Sequence, residues 1–392
     1  MKKRGSLDLS INAIVILILA ITMLGLGLAF MSGVFGSATE EFQEISGVIQ
    51  KQIIDQMKQT EKVVDLENPV FKIGVGEKKT TYIGFKNKKN QVMKFIIKGV
   101  KVSSIPGSVI DCGLYEEDVI LEYKHKATSV QPGTVAVLPI NIKTDSKSEK
   151  GTCFYEILID EEDDNLVGYW NFNKEDDATD ISGNGNDGVI TGVDWFKVTD
   201  EDWLNGAYDF EGFDYIDVPN PVFNLDNYVT ISLWQYGDEA IQPQSDTILE
   251  GRDSSNWRVF NIHLPWWHSP TDHRIWWDAG NSATSVFDRL FKVTTSDSEF
   301  EGQWNNWIFT KNAVSGIMKI YLNGQEWSSG SSKTKTLSAV TTFKIGSSYN
   351  GASNYDGFVD DVKIYNKALS ESEVKQLANG YDYSIQLTVN VE

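Results

Sequence analysis

The longest hydrophobic stretch of the sequence lies at its N-terminus. Residues 11–30 are apolar except for Asn12 and Thr22. A helix rises about 1.5 Å per residue, so a helix of this length spans the roughly 30 Å hydrocarbon core of a bilayer. Basic residues 2–4 precede the run, and the positive-inside rule places that end in the cytoplasm. The pattern predicts one membrane-spanning helix, with everything after Phe30 outside the cell.

A second hydrophobic pattern follows with the spacing of a helix. Between Thr39 and Val64, apolar residues recur every three or four positions, from Phe42 to Met57. This spacing predicts a stem helix that continues away from the membrane. Such a helix either self-associates or packs against the next domain, and the sequence does not decide between these.

Short alternating segments replace the helical pattern from Pro69 onward, and they are bounded by Asn-, Gly- and Lys-rich turns. They predict strands at Val70–Val75, Thr80–Phe85, Met93–Val102, Val119–Tyr123, Thr134–Ile142 and Cys153–Ile159. A run of strands without a helix predicts an Ig-like β-sandwich over residues 67–160.

The last ten residues resemble a strand that has been separated from its partner. Tyr383–Glu392 alternates strictly between apolar and polar residues and suits Cys153–Ile159 as a hairpin partner. Folded domains are tolerated at exposed loop tips. The sequence therefore predicts a domain at residues 161–380 inserted into a sandwich that is split between residues 67–160 and 381–392.

Two cysteines lie in the predicted extracellular part. Cys112 and Cys153 are 41 positions apart. Because oxidation is permitted outside the cell, we expect a disulfide, which the chain-entropy model values at about 3–4 kcal/mol. A catalytic or metal-binding thiol is the alternative, but no histidine lies near either cysteine in the sequence.

Charge and tryptophan are concentrated in the predicted insert. Residues 161–380 contain 35 acidic and 15 basic residues, which equals the net charge of −20 of the whole chain. All twelve tryptophans lie between Trp170 and Trp327. An acidic chain cannot neutralise phosphates, so nucleic-acid binding is excluded. The acidity of the insert also has a simpler explanation, because scattered carboxylates keep an exposed domain soluble.

The basic start of the chain resembles a known processing signal. Lys3-Arg4-Gly5-Ser6-Leu7 resembles the class III signal of archaeal type IV pilin-like proteins. The resemblance implies cleavage after Gly5, so that residues 1–5 are a leader, Ser6 becomes the N-terminus, and residues 6–66 form the membrane helix and stem. It also implies contacts with pilin subunits through that helix, and an Ig-like head. Such signals often carry Glu at the fifth mature position, where this chain has Ser10.

The insert carries an ordered series of motifs, among them Tyr208–Gly212, Thr230–Trp234, Trp307–Lys311, Lys319–Gly324 and Phe358–Ser370. This series resembles the laminin-G-like, concanavalin A-like jelly-roll domain. The resemblance implies a two-sheet antiparallel sandwich that usually binds glycans or proteins and in a minority of cases hydrolyses polysaccharides. Apart from the resemblance, the sequence predicts one short helix, Ser370–Asn379, that begins with a capping box.

Five tryptophans and three histidines between Asn256 and Gly280 are candidates for sugar binding. Indole rings stack on sugar rings, and in adjacent Trp pairs strand alternation sends one ring inward and the next outward. We expect Trp267 and Trp277 to be exposed platforms, with His268 and His273 hydrogen-bonding to sugar hydroxyls. Core positions are expected for Trp170, Trp234 and Trp307.

An oxygen-rich loop is a candidate calcium site. Asp180, Ser182 and Asn184 alternate before a glycine, as in the first half of a calcium-binding loop. Completion of the site would come from a distant acid such as Asp361. The alternative is an Asx-turn loop that needs no ion.

Catalytic patterns are weak. Glu299 and Glu301 flank Phe300, but no Glu-x-Asp-x-Glu triplet of retaining glucanases occurs, and no Gly-x-Ser-x-Gly elbow occurs. The sequence therefore favours a non-enzymatic, membrane-anchored or pilin-like surface protein whose insert serves in adhesion or carbohydrate binding. The alternatives are a structural minor pilin or envelope protein that contacts other proteins, and an exported glycoside hydrolase.

Overall fold

The computed structural model describes residues 47–104, 110, 112, 118–198, 206–280 and 287–392. The chain divides into two compact units between Thr60 and Glu61. In the first unit, helix α1 occupies residues 47–58. No helix among the described residues is both long and apolar enough to cross a membrane. The hydrophobic run at 11–30 and the processing site Gly5-Ser6 lie outside the described residues.

The stem helix ends earlier than its hydrophobic spacing predicts. Val64, expected to be its last residue, instead begins a strand and pairs with Phe85. Two β-branched residues, Val63 and Val64, favour an extended backbone at this point.

The first strands of the second unit and its last strand form a sandwich of two sheets. They are β1 (Val64–Leu66), β2 (Val70–Ile73), β3 (Lys78–Lys86), β4 (Met93–Ser104), β5 (Val119–Glu122), β6 (Thr128–Val130), β7 (Val135–Thr144), β8 (Gly151–Asp163) and, late in the chain, β24 (Tyr383–Val391). Sheet I has the order β1-β3-β7-β5, and sheet II has the order β2-β24-β8-β4-β6. Apolar side chains of both sheets, including Phe85 and Tyr155, share one core. We call this part the split sandwich.

The two parts of the split sandwich meet at β8 and β24. These strands pair antiparallel from Ile159 opposite Tyr383 to Gly151 opposite Val391. The predicted pairing of the C-terminal segment is therefore confirmed. Cys112 and Cys153 form the expected disulfide, with their Cα atoms 5.6 Å apart.

The chain between β8 and β24 forms a second sandwich, which we call the inserted sandwich. Its strands are β9 (Leu166–Trp170), β10 (Val189–Thr191), β11 (Asp194–Phe196), β12 (Ala207–Phe210), β13 (Tyr215–Phe223), β14 (Tyr228–Gly237), β15 (Leu249–Arg252), β16 (Arg258–Ser269), β17 (Asp272–Ala279), β18 (Asp288–Val293), β19 (Asn305–Asn312), β20 (Ile317–Leu322), β21 (Gln325–Gly330), β22 (Val340–Ile345) and β23 (Gly357–Tyr365). Sheet III has the order β10-β13-β22-β15-β16-β17-β18. Sheet IV has the order β11-β12-β23-β14-β19-β20-β21, and β9 also pairs with β23.

Two short helical segments complete the inserted sandwich. A 3₁₀ turn occupies Asp297–Glu299, and helix α2 occupies Glu371–Leu377. Ser370 and Glu373 form the predicted capping box at the start of α2.

The core between sheets III and IV is aromatic. Trp170 and Trp307 are fully buried in it, as predicted. Trp234 is only half-buried, so its predicted core position is wrong. Its neighbours Leu233 and Ile231 occupy the core side of β14, and strand alternation turns Trp234 to the opposite face.

Buried ion pairs join the split and inserted sandwiches. Lys363 of β23 lies 2.7 Å from the Asp160 carboxylate and 3.0 Å from the Glu162 carboxylate, both on β8. Lys98 of β4 forms an ion pair with Asp361 of β23. Burial lowers the pKa of Lys363, but the two carboxylates outweigh this and raise it, so Lys363 stays charged. We call this cluster the junction.

Candidate functional site

The arginines of the chain are concentrated on one sheet. The sequence contains five arginines, and all except Arg4 lie in residues 252–289. They are carried by four strands that are neighbours in sheet III, namely β15 (Arg252), β16 (Arg258), β17 (Arg274) and β18 (Arg289). We call these four arginines and the side chains they contact the arginine face.

A row of polar side chains crosses the centre of this face. Glu250, Asn261 and Asp278 lie directly opposite one another on β15, β16 and β17. Their strand neighbours Leu249 and Ile262 belong to the core. Because side chains alternate along a strand, the polar row lies on the face of sheet III that points away from the core. All three side chains are nevertheless buried.

Guanidinium groups cover the two carboxylates of the row. Arg252 Nε and Arg258 Nε donate to Glu250 Oε1 at 3.0 and 3.2 Å. Arg289 binds Asp278 with two parallel hydrogen bonds, Nε to Oδ1 at 2.5 Å and Nη2 to Oδ2 at 2.7 Å. Arg258 Nη1 lies 3.5 Å from Asp278 Oδ2, so Arg258 links both carboxylates. Each buried carboxylate is therefore neutralised, as burial requires.

Asn261 stands between the two carboxylates without a partner of its own. Neither its side-chain nitrogen nor its side-chain oxygen has a hydrogen-bond partner among the described residues, and both atoms are buried. An unsatisfied buried polar group costs about 1–3 kcal/mol. The centre of the arginine face thus contains unused hydrogen-bonding capacity.

Aromatic rings support the arginines. The Arg289 guanidinium lies 3.7 Å from the centre of the Trp276 ring, and Trp276 stacks on Phe291 with the ring centres 5.4 Å apart. Arg274 lies 5.0 Å from the centre of the Phe291 ring and binds Asp272. Trp276 Nε1 also donates to Asp278 at 3.0 Å, which ties the rings to the polar row.

Trp266 and His263 extend the aromatic cluster along β16. The ring centres of Trp266 and Trp276 are 5.9 Å apart, and those of His263 and Trp266 are 4.6 Å apart. Burial lowers the pKa of His263 to about 4, so this ring is neutral at pH 7. The cluster adds apolar surface to the arginine face without adding charge.

The predicted platform tryptophans have different positions. Trp267 is 44% exposed, as expected. Trp277 is fully buried and packs edge-on against Phe309, so its predicted exposure is wrong. In the pair Trp276-Trp277 one ring does point outward, as expected, but it is the ring of Trp276. Only the register of the whole strand against the core shows which ring of the pair faces outward.

The predicted histidine partners lie near the end of the β16–β17 hairpin. His268 is exposed. His273 is opposite Trp267 in the ladder, with its ring centre 5.7 Å from that of Phe300. The adjacent opposed pair is Trp266 and Arg274, so Trp267 and His273 lie on the other face of the sheet.

The predicted calcium loop uses its oxygens internally. Asp180 accepts hydrogen bonds from the backbone N–H groups of Tyr169, Ser182 and Asn186 at 2.9–3.0 Å. Asn184 donates to Ser182 Oγ. These bonds are those of the Asx-turn alternative. Calcium binding by this loop remains a prediction.

The distant acid proposed to complete the calcium site has other partners. Asp361 forms an ion pair with Lys98 and accepts a hydrogen bond from the Tyr169 hydroxyl at 2.8 Å. Among the described residues, no cluster of three or more His, Cys, Asp or Glu side chains is arranged to hold a metal ion.

The acids flanking Phe300 do not act together. Glu299 is hydrogen-bonded to Thr295. Burial, aided by the nearby Asp297 carboxylate, raises the pKa of Glu301 to about 7. Asp297, Glu239 and Asp238 are the carboxylates that act on Glu301, so the predicted pairing with Glu299 is not the one that shifts its pKa. The absence of enzymatic activity remains a prediction.

Sequence reasoning missed the arginine face. The signal was present, because four of the five arginines fall in one stretch that also contains adjacent tryptophans. Their common face could not be read from the sequence, because bulges shift the β15–β16 and β16–β17 registers.

The fold and the site define a mainly β protein with a two-sheet jelly-roll sandwich. Residues 210–375 match the family model of the concanavalin A-like lectin/glucanases superfamily, Laminin_G_3. This part of the chain is therefore similar to a concanavalin A-like domain. A comparison with curated proteins finds no significant match.

Solved structures with a similar fold cover about half of the chain. Domain 4 of AbnA, an extracellular GH43 arabinanase from Geobacillus stearothermophilus, solved with arabinotriose, is 22% identical with a TM-score of 0.43, covering 54% of this chain and 98% of its own. The receptor-binding domain of botulinum neurotoxin C/D mosaic serotype is 17% identical with a TM-score of 0.44, covering 55% of this chain and 51% of its own. The present chain thus spans about half the length of the neurotoxin domain.

Proposed function

We propose that the chain is a cell-surface protein that presents a carbohydrate-binding jelly-roll domain on a membrane-anchored stem. The observation that carries this proposal is the arginine face. It combines oriented hydrogen-bond donors, aromatic rings and an unsatisfied amide on one rigid sheet, which is the kind of surface that binds a hydroxyl-rich ligand. The matched family name covers both lectins and glucanases.

Binding fits this face better than hydrolysis. A general acid must be able to exchange a proton with substrate. Glu250 and Asp278 are instead buried beneath arginines that bind their carboxylates. Their role is to position the guanidinium groups.

The remaining parts of the proposal rest on the sequence. The apolar run at 11–30 is the membrane anchor, with cleavage after Gly5 if the pilin-like signal is used. The split sandwich is an Ig-like spacer, and adhesion is the role of the whole assembly. N-terminal mass spectrometry of the native protein tests the processing, because cleavage leaves Ser6 as the first residue.

A glycan array tests the binding function. The full chain, kept in detergent because of its apolar run, is applied beside two variants. Trp276→Ala removes the ring beneath Arg289 and is expected to abolish the signal. Trp267→Ala removes an exposed ring on the other side of the sheet and is expected to retain it.

The outcomes separate the alternatives. Loss of binding only in Trp267→Ala would move the sugar site to the end of the β16–β17 hairpin. Binding of no glycan by the folded protein would remove the carbohydrate proposal and favour contacts with other proteins.

A further inference from the structure

The aromatic rings of the arginine face are not open platforms. Sugar stacking needs a free ring face. The half-buried Trp276 already has the Arg289 guanidinium on it, and Phe291 has the Arg274 guanidinium. These rings support the guanidinium groups, and Phe291 is itself 44% exposed, so both the guanidinium edges and this ring are presented to solvent. The Arg289 side chain is 41% exposed.

The supported guanidinium groups keep donors in reserve. Arg289 uses Nε and Nη2 to bind Asp278, and Arg274 uses Nε and Nη2 to bind Asp272. The Nη1 group of each donates to none of the described residues. A guanidinium fixed by a carboxylate behind it and a ring beneath it loses little entropy when these donors bind a ligand.

The charge of the face contrasts with that of its surroundings. The four arginines contact three carboxylates, those of Glu250, Asp272 and Asp278, so positive charge is in excess. Residues 161–380 as a whole contain 35 acids and 15 bases. An anionic ligand is therefore repelled by most of the insert and attracted to this one face.

We propose that the arginine face recognises an acidic saccharide, one whose sugar rings carry carboxylate groups. This inference rests on the proposed function and adds the ligand class. The spare Nη1 groups of Arg274 and Arg289 bind sugar carboxylates, for which guanidinium geometry is suited. Asn261, buried between Glu250 and Asp278, has no hydrogen-bond partner among the described residues.

The test compares charged and neutral forms of the same saccharides. Oligosaccharides of polygalacturonate, alginate and hyaluronan are each paired with the carboxyl-reduced form and titrated by interferometry against the full chain in detergent. We expect at least one acidic form to bind about tenfold or more tightly than its neutral partner. Added salt should weaken the acidic complex, because the contacts are exposed.

Variants identify the groups responsible. Arg289→Lys keeps the positive charge but loses the planar fork, and it is expected to remove most of the preference for the acidic form. Arg274→Gln should weaken it independently. Lys375→Gln changes an exposed lysine of α2 that pairs with Glu371 and should leave the preference intact. Near-ultraviolet circular dichroism confirms that each variant is folded.

Each other result has a definite meaning. Equal affinity for acidic and neutral forms overturns the acidic-ligand proposal and leaves carbohydrate binding in place. Binding of sulfated dextran without binding of any carboxylated saccharide also overturns it, because the carboxylate is then not the recognised group. Binding of no saccharide, charged or neutral, removes both proposals.

Discussion

Removing Lys363 from the junction should destabilise the protein strongly. Its ammonium group lies between the carboxylates of Asp160 and Glu162, and all three side chains are largely buried. Tyr365 donates a further hydrogen bond to Glu162 at 2.8 Å. In Lys363→Met the side chain keeps similar bulk, but both buried carboxylates lose the counter-charge that they share.

The expected loss follows from the cost of an unpaired buried charge. Breaking one partner of a buried ion pair typically costs about 3–5 kcal/mol. Burial already raises the pKa of Glu162 to about 7, so Glu162 is the group that takes up a proton in the variant. Each pH unit changes the cost of that protonation by about 1.4 kcal/mol. The wild-type protein takes up a proton at Glu162 over the same pH range, so this dependence is nearly the same in both proteins. We therefore expect a loss of about 3–5 kcal/mol at pH 7 and a similar loss at pH 5.

Tryptophan fluorescence during guanidinium unfolding measures this loss, because every tryptophan of the chain lies between Trp170 and Trp327. The matched control is Lys375→Met, which removes an exposed lysine paired with Glu371 and should cost less than about 0.5 kcal/mol. If Lys363→Met costs no more than this control at pH 7, the reasoning about the junction is refuted.

Three further predictions concern other parts of the fold. Replacing Cys112 and Cys153 by serine should cost about 3–4 kcal/mol, seen as a lower Tm than that of the oxidised protein; an unchanged Tm would contradict this. Burial raises the pKa of Asp246 to about 7, so the protonated carboxyl group stabilises the fold. This contribution to stability is complete below about pH 4 and is lost as the pH rises through 7. Asp246→Asn should therefore raise the Tm at pH 8 and make the Tm less dependent on pH between pH 4 and 7. A lower Tm at pH 8 would contradict this prediction. Because Asp180 already accepts three backbone hydrogen bonds, EDTA should leave the Tm unchanged, and a clear drop restored by calcium would instead support the calcium loop.

Local patterns in the sequence were sufficient to predict that β24 pairs with β8, which joins the two parts of the split sandwich. The alternation in Tyr383–Val391 specifies which side chains are buried, and a one-residue slip would expose all of them. The capping box at Ser370 is equally local, because its two hydrogen bonds lie within one helical turn. Features that depend on nearest neighbours along the chain are thus predictable.

The candidate site depends on distances across the sheet, and for this reason prediction failed there. Trp276 and Trp277 are indistinguishable by composition, and only the register of β17 against β16 decides that Trp277 enters the core. The role of Asp361 likewise depended on Lys98, which is more than 200 residues away in the sequence. A buried carboxylate and its distant cation leave no joint pattern in a single sequence.

The choice of cation separates the structural charge networks from the candidate binding site. At the junction, and in the buried Lys311–Asp288 pair, the described cations are lysines. In the ion pairs on the exposed side of sheet III they are arginines. A lysine ammonium is a compact point charge that suits closed ion pairs, whereas a guanidinium bound to one carboxylate retains N–H groups for another. Arginine in the ion pairs of this face and lysine in those of the junction is the distribution expected if sheet III binds a ligand and the junction only holds the two sandwiches together.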